Sequence, residues 1–173
     1  MKRNPGVVTG IVKELDMSQG RIKVEFPWLQ ESYRSGWAPV AMPMSGKNRG
    51  MFFMPEIDDE VLVAFEQGDF EHPFILGFLW NGVDTPPETT NKNRVIVTPG
   101  GHTLRFEDTE GAKKVILQSS GEHQIIIDDK EQTITITTKG LQSIVLDDKG
   151  SGSIKLQGGG RIMEMRNGQV QIT

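Results

Sequence analysis

Residues able to catalyse a reaction are few and scattered in this chain. It has three histidines and no cysteine, so thiol nucleophiles, thiolate metal ligands and disulfides are excluded. None of the histidines, at positions 72, 102 and 123, has a serine or a carboxylate pair at a spacing typical of a catalytic group. The sequence therefore predicts no catalytic residue and no cofactor.

Acidic pairs and a glycine run are the next candidates for chemistry. Asp128-Asp129 and Asp147-Asp148 lack the spaced oxygen ligands of a calcium-binding loop. The glycines at 158–160 are not followed by the helix and lysine of a phosphate-binding loop. Both patterns are more typical of solvated turns.

Composition limits the possible partners. The chain has 19 Lys plus Arg against 23 Asp plus Glu, a formal net charge of -4, which gives no general attraction to nucleic acid or acidic membranes. No apolar run approaches the roughly eighteen residues of a membrane span, and no apolar signal-peptide segment follows the start. We therefore expect protein partners and no nucleic acid.

A break in composition near residue 100 divides the chain. All nine prolines lie at or before Pro99, and every tryptophan and phenylalanine lies at or before Phe106. A single compact domain would draw core aromatics from its whole length, because they bury the most surface per residue. The predicted organisation is a first domain over 1–82, a linker over 83–100 and a repetitive domain over 101–173.

The first domain is predicted to be a small barrel of short strands. The predicted strands lie at 6–15, 21–26, 50–54, 60–65 and 73–80, with an extended segment rich in proline at 37–43. Five strands in about eighty residues fit a Greek-key barrel of the OB-fold type. That fold also raises nucleic-acid binding as an alternative, for which Arg21 and Lys23 are the basic candidates, but acidic residues crowd the other strands.

The second domain repeats one strand pattern with a period of about nineteen to twenty residues, which is typical of a stacked repeat architecture. Side chains alternate along a strand, so the first and third apolar residues of each triplet share one face. The residues predicted to face inward are Leu104, Phe106, Val115, Leu117, Ile125, Ile127, Ile134, Ile136, Ile144, Leu146, Ile154, Leu156, Met163, Met165, Val170 and Ile172.

Two arrangements could bury that face. With only two aliphatic residues per strand, one chain has a thin sheet and no second layer to cover it, whereas three chains around an axis would enclose a narrow interior that small side chains fill. A monomeric meander of hairpins is the alternative, because Asn167-Gly168 is a good hairpin turn. A three-fold axis would also make His102 and His123 candidates for an axial metal, although the neighbouring glycines favour ordinary turns.

A resemblance to a known family covers nearly the whole chain. Residues 50–82 resemble the OB-fold signature of contractile-system spikes, which include the valine-glycine-repeat proteins of type VI secretion and the phage baseplate assembly protein V group. The matching residues are Pro55, Glu60, Gly68, Asp69, Pro73, Gly77 and Asn81. Residues 100–108 and the repeats that follow are similar to the start of the family's trimeric β-helix or β-prism. One departure is Asp58, where the family often has glycine.

The resemblance implies an all-β fold, an N-terminal OB-fold barrel followed by a C-terminal trimeric β-helix or β-prism. It also implies a non-enzymatic homotrimeric spike that docks on a hub or baseplate protein and transmits sheath force to a membrane; a non-piercing adaptor is the alternative. With no hub domain before Met1 and no effector domain after the repeats, we expect a separate hub protein. Val170, Gln171, Ile172 and Thr173 end the last strand, and we expect them to bind a tip protein of the proline-alanine-alanine-arginine repeat type. Effector cargo is a further possible partner. Such a spike is assembled in the bacterial cytoplasm as part of a tail-like particle and leaves the cell on firing.

Overall fold

The computed structural model describes residues 6–29 and 33–173. The chain divides into two compact units, Met1–Thr85 and Pro86–Thr173. Apart from one 3₁₀ turn at Glu66–Gly68, the regular structure of the described residues is all strand, which confirms the predicted fold class at the level of secondary structure.

The first unit is a five-stranded antiparallel sheet that curls into a barrel. A parallel bridge between Val40 and Ile75 joins its two ends, and the Ala41 amide donates a hydrogen bond to the Ile75 carbonyl at 2.9 Å. The strands of this unit are β1 Val8–Asp16, β2 Arg21–Glu25, β3 Ala38–Pro39, β4 Ser45–Gly46, β5 Arg49–Gly50, β6 Glu60–Phe65 and β7 Pro73–Leu79. The barrel sheet has the strand order β3-β2-β1-β6-β7, and β4 and β5 form a separate two-stranded sheet.

Period-two alternation builds the core of this barrel. In β2 and β6, alternate residues are buried, and the residues between them are only partly covered. The buried apolar side chains are Val12, Ile22, Val24, Phe26, Ala38, Val61, Val63, Phe65 and Ile75. An aromatic cluster extends one end of this core, where Phe70 stacks on Phe65 with ring centroids 4.6 Å apart. The predicted strands at 60–65 and 73–80 match β6 and β7 closely.

The predicted strand over 50–54 is wrong. Only Gly50 lies in a strand, and residues 51–56 have no assigned secondary structure. The apolar run Met51-Phe52-Phe53-Met54 does not alternate with polar residues. Met54 packs against the barrel core, while the other three side chains are exposed. Hydrophobicity alone therefore suggested a strand where no neighbouring strand is available to pair.

The motif residues of the barrel occupy structural positions. Pro55 and Pro73 are buried, Glu60 begins β6, and Gly77 lies beside the register shift between β6 and β7. Gly68 has φ 76. The carboxylate of Asp69 accepts a hydrogen bond from the Glu71 amide, and the side-chain oxygen of Asn81 accepts from the amides of Val83 and Asp84.

Asp58, the departure from the family pattern, has φ 75. Aspartate tolerates this left-handed conformation better than most residues, so it can replace glycine here. Its amide donates to the Val12 carbonyl at 2.9 Å, and its carboxylate pairs with Lys13.

The second unit is one nine-stranded sheet in which each strand pairs antiparallel with the next. The chain is therefore a meander of consecutive hairpins, the connectivity that was the alternative from sequence. Its strands are β8 Asn93–Val97, β9 Thr103–Glu107, β10 Lys114–Gln118, β11 Gln124–Asp128, β12 Thr133–Thr137, β13 Ser143–Asp147, β14 Ser153–Gly158, β15 Arg161–Arg166 and β16 Gln169–Ile172. The stretch 83–100, expected as a linker, contains β8.

Candidate functional site: the apolar face of the repeat sheet

Cross-strand register places the predicted inward residues in two continuous rows on one face of the nine-stranded sheet, here called the apolar face. The first row is Ile96, Leu104, Leu117, Ile125, Ile136, Ile144, Leu156, Met163 and Ile172. The second row is Phe106, Val115, Ile127, Ile134, Leu146, Ile154, Met165 and Val170. Arg94 is the cross-strand partner of Phe106, so the position before the second row holds a charged residue. Every residue predicted as trimer core lies in one of the rows.

The opposite face of the sheet has a different character. Its central row changes from mainly aliphatic to polar along the chain: Val95, Arg105, Ile116, Ile126, Thr135, Val145, Lys155, Glu164 and Gln171. Ile126, Thr135 and Val145 are half-buried, while their chain neighbours on the apolar face are exposed. The apolar face is thus the less covered face in a single chain, although it carries most of the aliphatic side chains of the strands.

The exposed area on the apolar face is large. Most of the row residues are exposed, from 37% for Leu156 to 63% for Ile172. A groove of about 1040 Å³ follows the second row from Ile127 to Val170, and a groove of about 610 Å³ follows the first row from Ile136 to Ile172. Contiguous apolar surface of this extent marks an interaction site in a water-soluble protein.

Turns beside the first row repeat one five-residue structure. The turns are Thr98–His102, Ser119–His123 and Thr138–Gln142. In each, the first amide donates to the last carbonyl and the fourth amide donates to the first carbonyl. The fourth residue has positive φ: Gly101 at 82°, Glu122 at 64° and Leu141 at 63°.

Histidines connect successive turns of this series. His102 Nδ1 accepts a hydrogen bond from the Ser120 amide, and His123 Nδ1 accepts one from the Lys139 amide, each at 3.3 Å. In both bonds the Nδ1 lone pair of the imidazole is the acceptor. Among the described residues, no three histidine, aspartate or glutamate side chains group closely enough to bind a metal ion.

Turns beside the second row are rich in carboxylates. Asp128 is 7% exposed, and the amide of Glu131 and the ammonium of Lys114 hold the pKa of its carboxyl below the usual range. Lys149 bonds Glu131 across adjacent turns at 2.7 Å, which lowers the pKa of that carboxyl. Asp129 and Asp148 also line the second-row groove.

The two basic candidates of the barrel, Arg21 and Lys23, already contact other side chains of this chain. Arg21 pairs with Asp16 and Lys23 pairs with Glu14, both at 2.9 Å. Both cations also lie over the Trp37 ring, 5.2 and 4.6 Å from its centre. These two residues therefore do not form a free basic groove of the kind that nucleic-acid binding requires.

His72 and the residues expected to bind a tip protein also have local roles in the structure. His72 lies in the turn before β7, with Nδ1 3.2 Å from the Asp69 carboxylate. Val170, Gln171 and Ile172 belong to β16, the strand at one end of the sheet order. Thr173 exchanges two backbone hydrogen bonds with Ile162.

Among the described residues, no helix is long and apolar enough to cross a membrane.

Comparison with known proteins identifies the class of the barrel. Residues 5–80 match the family described as the type VI secretion system/phage-baseplate injector OB domain. The five-stranded closed sheet of the first unit agrees with that description.

The chain is also similar to curated spike proteins. It is 29% identical to the actin cross-linking toxin VgrG1 of Vibrio cholerae (strain O395) over 128 residues, 66% of this chain and 12% of the relative. It is 29% identical to the spike protein VgrG3 of V. cholerae (strain N16961) over 63% of the chain and 12% of the relative. For the spike protein VgrG1c of Pseudomonas aeruginosa (strain PAO1) the identity is 29%, over 65% of the chain and 18% of the relative.

These similarities show that residues 5–80 have the sequence of an injector OB domain and that the chain resembles VgrG spike proteins. The aligned segments span less than a fifth of the length of these relatives. The other activities of the longer proteins therefore do not transfer by similarity.

Proposed function

We propose that this chain is the subunit of a homotrimeric, non-enzymatic central spike of a contractile injection system. The observation that carries the proposal is the pair of aliphatic rows on one face of the nine-stranded sheet. Three copies of that face around one axis would bury both rows. Each buried aliphatic side chain would contribute about 1.5–3 kcal/mol relative to full exposure, and less here because the rows are already partly covered.

The width of the sheet favours three copies. Five-residue strands at about 3.3 Å per residue are roughly 17 Å long. A triangle with sides of that length has its axis about 5 Å from each side, which is half of the roughly 10 Å between packed sheets. Four sheets arranged as a square would leave a wider central void. Two facing sheets would leave the turns at both edges without a neighbouring chain to contact.

The mechanical role follows from the hydrogen-bonding direction. Nine strands stacked about 4.8 Å apart would make a rod on the order of 40 Å long, with its backbone hydrogen bonds running along the axis. Because every strand pairs with its neighbour in the same chain, association needs only face packing and no exchange of strands. Such a rod would transmit sheath force to a target membrane.

The proposed partners are suggested by the similarity to baseplate injector OB domains and VgrG spike proteins. A hub or baseplate protein would bind the barrel, and a tip protein of the proline-alanine-alanine-arginine repeat type would bind Val170, Gln171, Ile172 and Thr173. The position of β16 at the end of the strand order supports that site, since an edge strand offers free backbone groups for pairing. Effector cargo would travel with the tip, from the bacterial cytoplasm to outside the cell.

Deleting residues 101–173 while retaining the barrel tests the piercing role. The measurements are particle assembly by electron microscopy and cargo delivery to target cells, each compared with the full chain. We expect truncated particles to assemble and to lose delivery. Delivery at the full-length level would instead assign the chain to the alternative role, a non-piercing baseplate adaptor.

A second deletion tests the tip site. Removing residues 170–173 should abolish co-purification of the tip protein while the remaining strands stay folded. Retained co-purification would place the tip elsewhere.

A further inference from the structure

One leucine in the repeat sheet lies in two unfavourable environments at once. Leu141, in the turn between β12 and β13, has φ 63 and is 73% exposed. Left-handed backbone is unfavourable for a leucine, because its Cβ crowds the following carbonyl. The equivalent turn positions hold Gly101 and Glu122, so the turn structure itself does not need an apolar residue here.

A groove suited to an apolar side chain lies on the apolar face, at the opposite ends of the strands from Leu141. The second-row groove has an apolar floor, which includes Ile134 and Leu146, and carboxylates at its edge. Leu141 belongs to the turn beside the first row, at the opposite ends of the same two strands. It therefore cannot occupy this groove within its own chain.

Symmetry brings the turn and the groove together. The copies in a closed ring are related by rotation without translation along the axis. Each turn therefore meets the next copy at its own height along that axis. The Leu141 turn joins β12 to β13. At that level the groove runs between the turn at 129–132 and the turn at 148–152, which flank the same two strands.

We infer that the Leu141 turn of each copy inserts into the second-row groove of the next copy and so closes the corners of the trimer. This inference rests on the proposed trimer and specifies its contacts. Leu141 contacts the apolar floor at Ile134 and Leu146, and the occupant of the groove is a second copy of this chain.

Charges at the rim agree with this assignment. Lys139, two residues before Leu141, is well exposed and has one partner in its own chain, Glu122 at 3.3 Å. Among the described residues, the carboxylates of Asp129 and Asp148 have no ion pair, and both line the groove. Insertion places the Lys139 ammonium between these two carboxylates.

The substitution Leu141→Gly separates assembly from folding. Glycine adopts positive φ freely, so the variant relieves backbone strain while it removes the inserted side chain. We expect the concentration for half-dissociation of the trimer, measured by sedimentation, to rise about tenfold or more, in line with the burial of one leucine per corner. The matched control is Gln67→Gly in the barrel, at φ 49, which should leave that concentration unchanged.

A charge exchange tests the rim. Lys139→Glu should weaken the trimer at low salt, and Asp148→Lys should do the same. Combining both substitutions in one chain should restore part of the lost assembly, because one of the two charge contacts is then exchanged across the corner while Asp129 is unchanged. Additive weakening in the double variant would overturn the pairing.

Cross-linking tests the contact directly, since the chain has no cysteine. The double variant Leu141→Cys with Leu146→Cys should give covalent trimers under oxidation, and each single variant should give none. A wild-type trimer with no cross-link and no effect of Leu141→Gly would overturn the corner assignment and leave the groove to another protein. A wild-type monomer would instead refute the trimer on which the inference rests.

Discussion

At the scale of single residues, the Glu88 carboxylate binds several donors near the start of the second unit. Its carboxylate accepts hydrogen bonds from the Asn93 side chain at 2.9 Å, from the amides of Thr89 and Thr90, and from Arg105 at 2.6 Å. Led by the Asn93 bond, these donors lower the pKa of Glu88 to about 2 from 4.5. The ionised carboxylate therefore stabilises the folded state above pH 4.5.

Glu88→Gln should remove that contribution. Because the folded pKa is depressed, the stabilisation is lost as pH falls from about 4.5 to about 2. We expect the wild type to melt at a higher temperature than the variant at pH 7, with a difference that shrinks through this window. Glu110→Gln, at an exposed turn position, is the control. A difference independent of pH would contradict this account of Glu88.

Ser35 has a comparable role in the barrel. It is 4% exposed, and its hydroxyl accepts from the Val24 amide at 3.1 Å and donates to the Gly36 carbonyl at 2.6 Å. Ser35→Ala leaves a buried amide without that partner, which costs about 1–3 kcal/mol. Urea unfolding should show that loss, and the exposed Ser45→Ala should show little. Equal stabilities would indicate another partner for the amide.

Sequence alone could not predict several residue-scale features. Leu141 is an unexceptional residue in the printed sequence, because its left-handed backbone depends on the turn type. The histidine bonds between successive turns depend on how hairpins stack, and the spacing of His102 and His123 suggested only ordinary turns or a metal. The sequence did contain one signal for these bonds, because the equivalent turns Thr98–His102 and Ser119–His123 both end in histidine.

At the scale of elements, the two faces of a repeat strand differ in what they tolerate. Ile134 lies in the second row, and Thr135 lies on the opposite face. Ile134→Lys would place a charge in the apolar interior of the proposed trimer, where an unpaired charge is very costly. We expect it to yield a folded monomer by sedimentation, with strand content by circular dichroism near that of the wild type.

The control for that prediction is Thr135→Lys, one residue further along the same strand. Its side chain stays on the outer face, so the trimer should persist. Dissociation by both substitutions would show that the apolar face has no special role. Persistence of the trimer in both would show that the rows are not its core.

Strand prediction succeeded where the apolar triplet recurs with a period of about nineteen to twenty residues. Ile125-Ile126-Ile127 and its repeats lie in the strands that their period indicates, and their faces agree with the register. It failed at Met51–Met54, where four apolar residues in succession have no alternation and no adjacent strand. Within the expected linker, the β-branched run Val95-Ile96-Val97 belongs to β8, which pairs with β9.

At the scale of the whole molecule, the match of residues 5–80 to the injector OB domain and the similarity to VgrG spike proteins support the barrel and a spike-like role, while the association of three chains is our proposal. The two rows take two positions in every strand of the second unit from β9 to β16, and no local substitution would bury them. A partner for the apolar face is therefore the main requirement that the fold imposes.

Sedimentation equilibrium of the purified full chain tests this central claim most directly. The account predicts one species with three times the mass of a single chain, which is 19.2 kDa, persisting at high salt because face packing is largely apolar. A folded species with the mass of one chain, across the same concentrations, would contradict it.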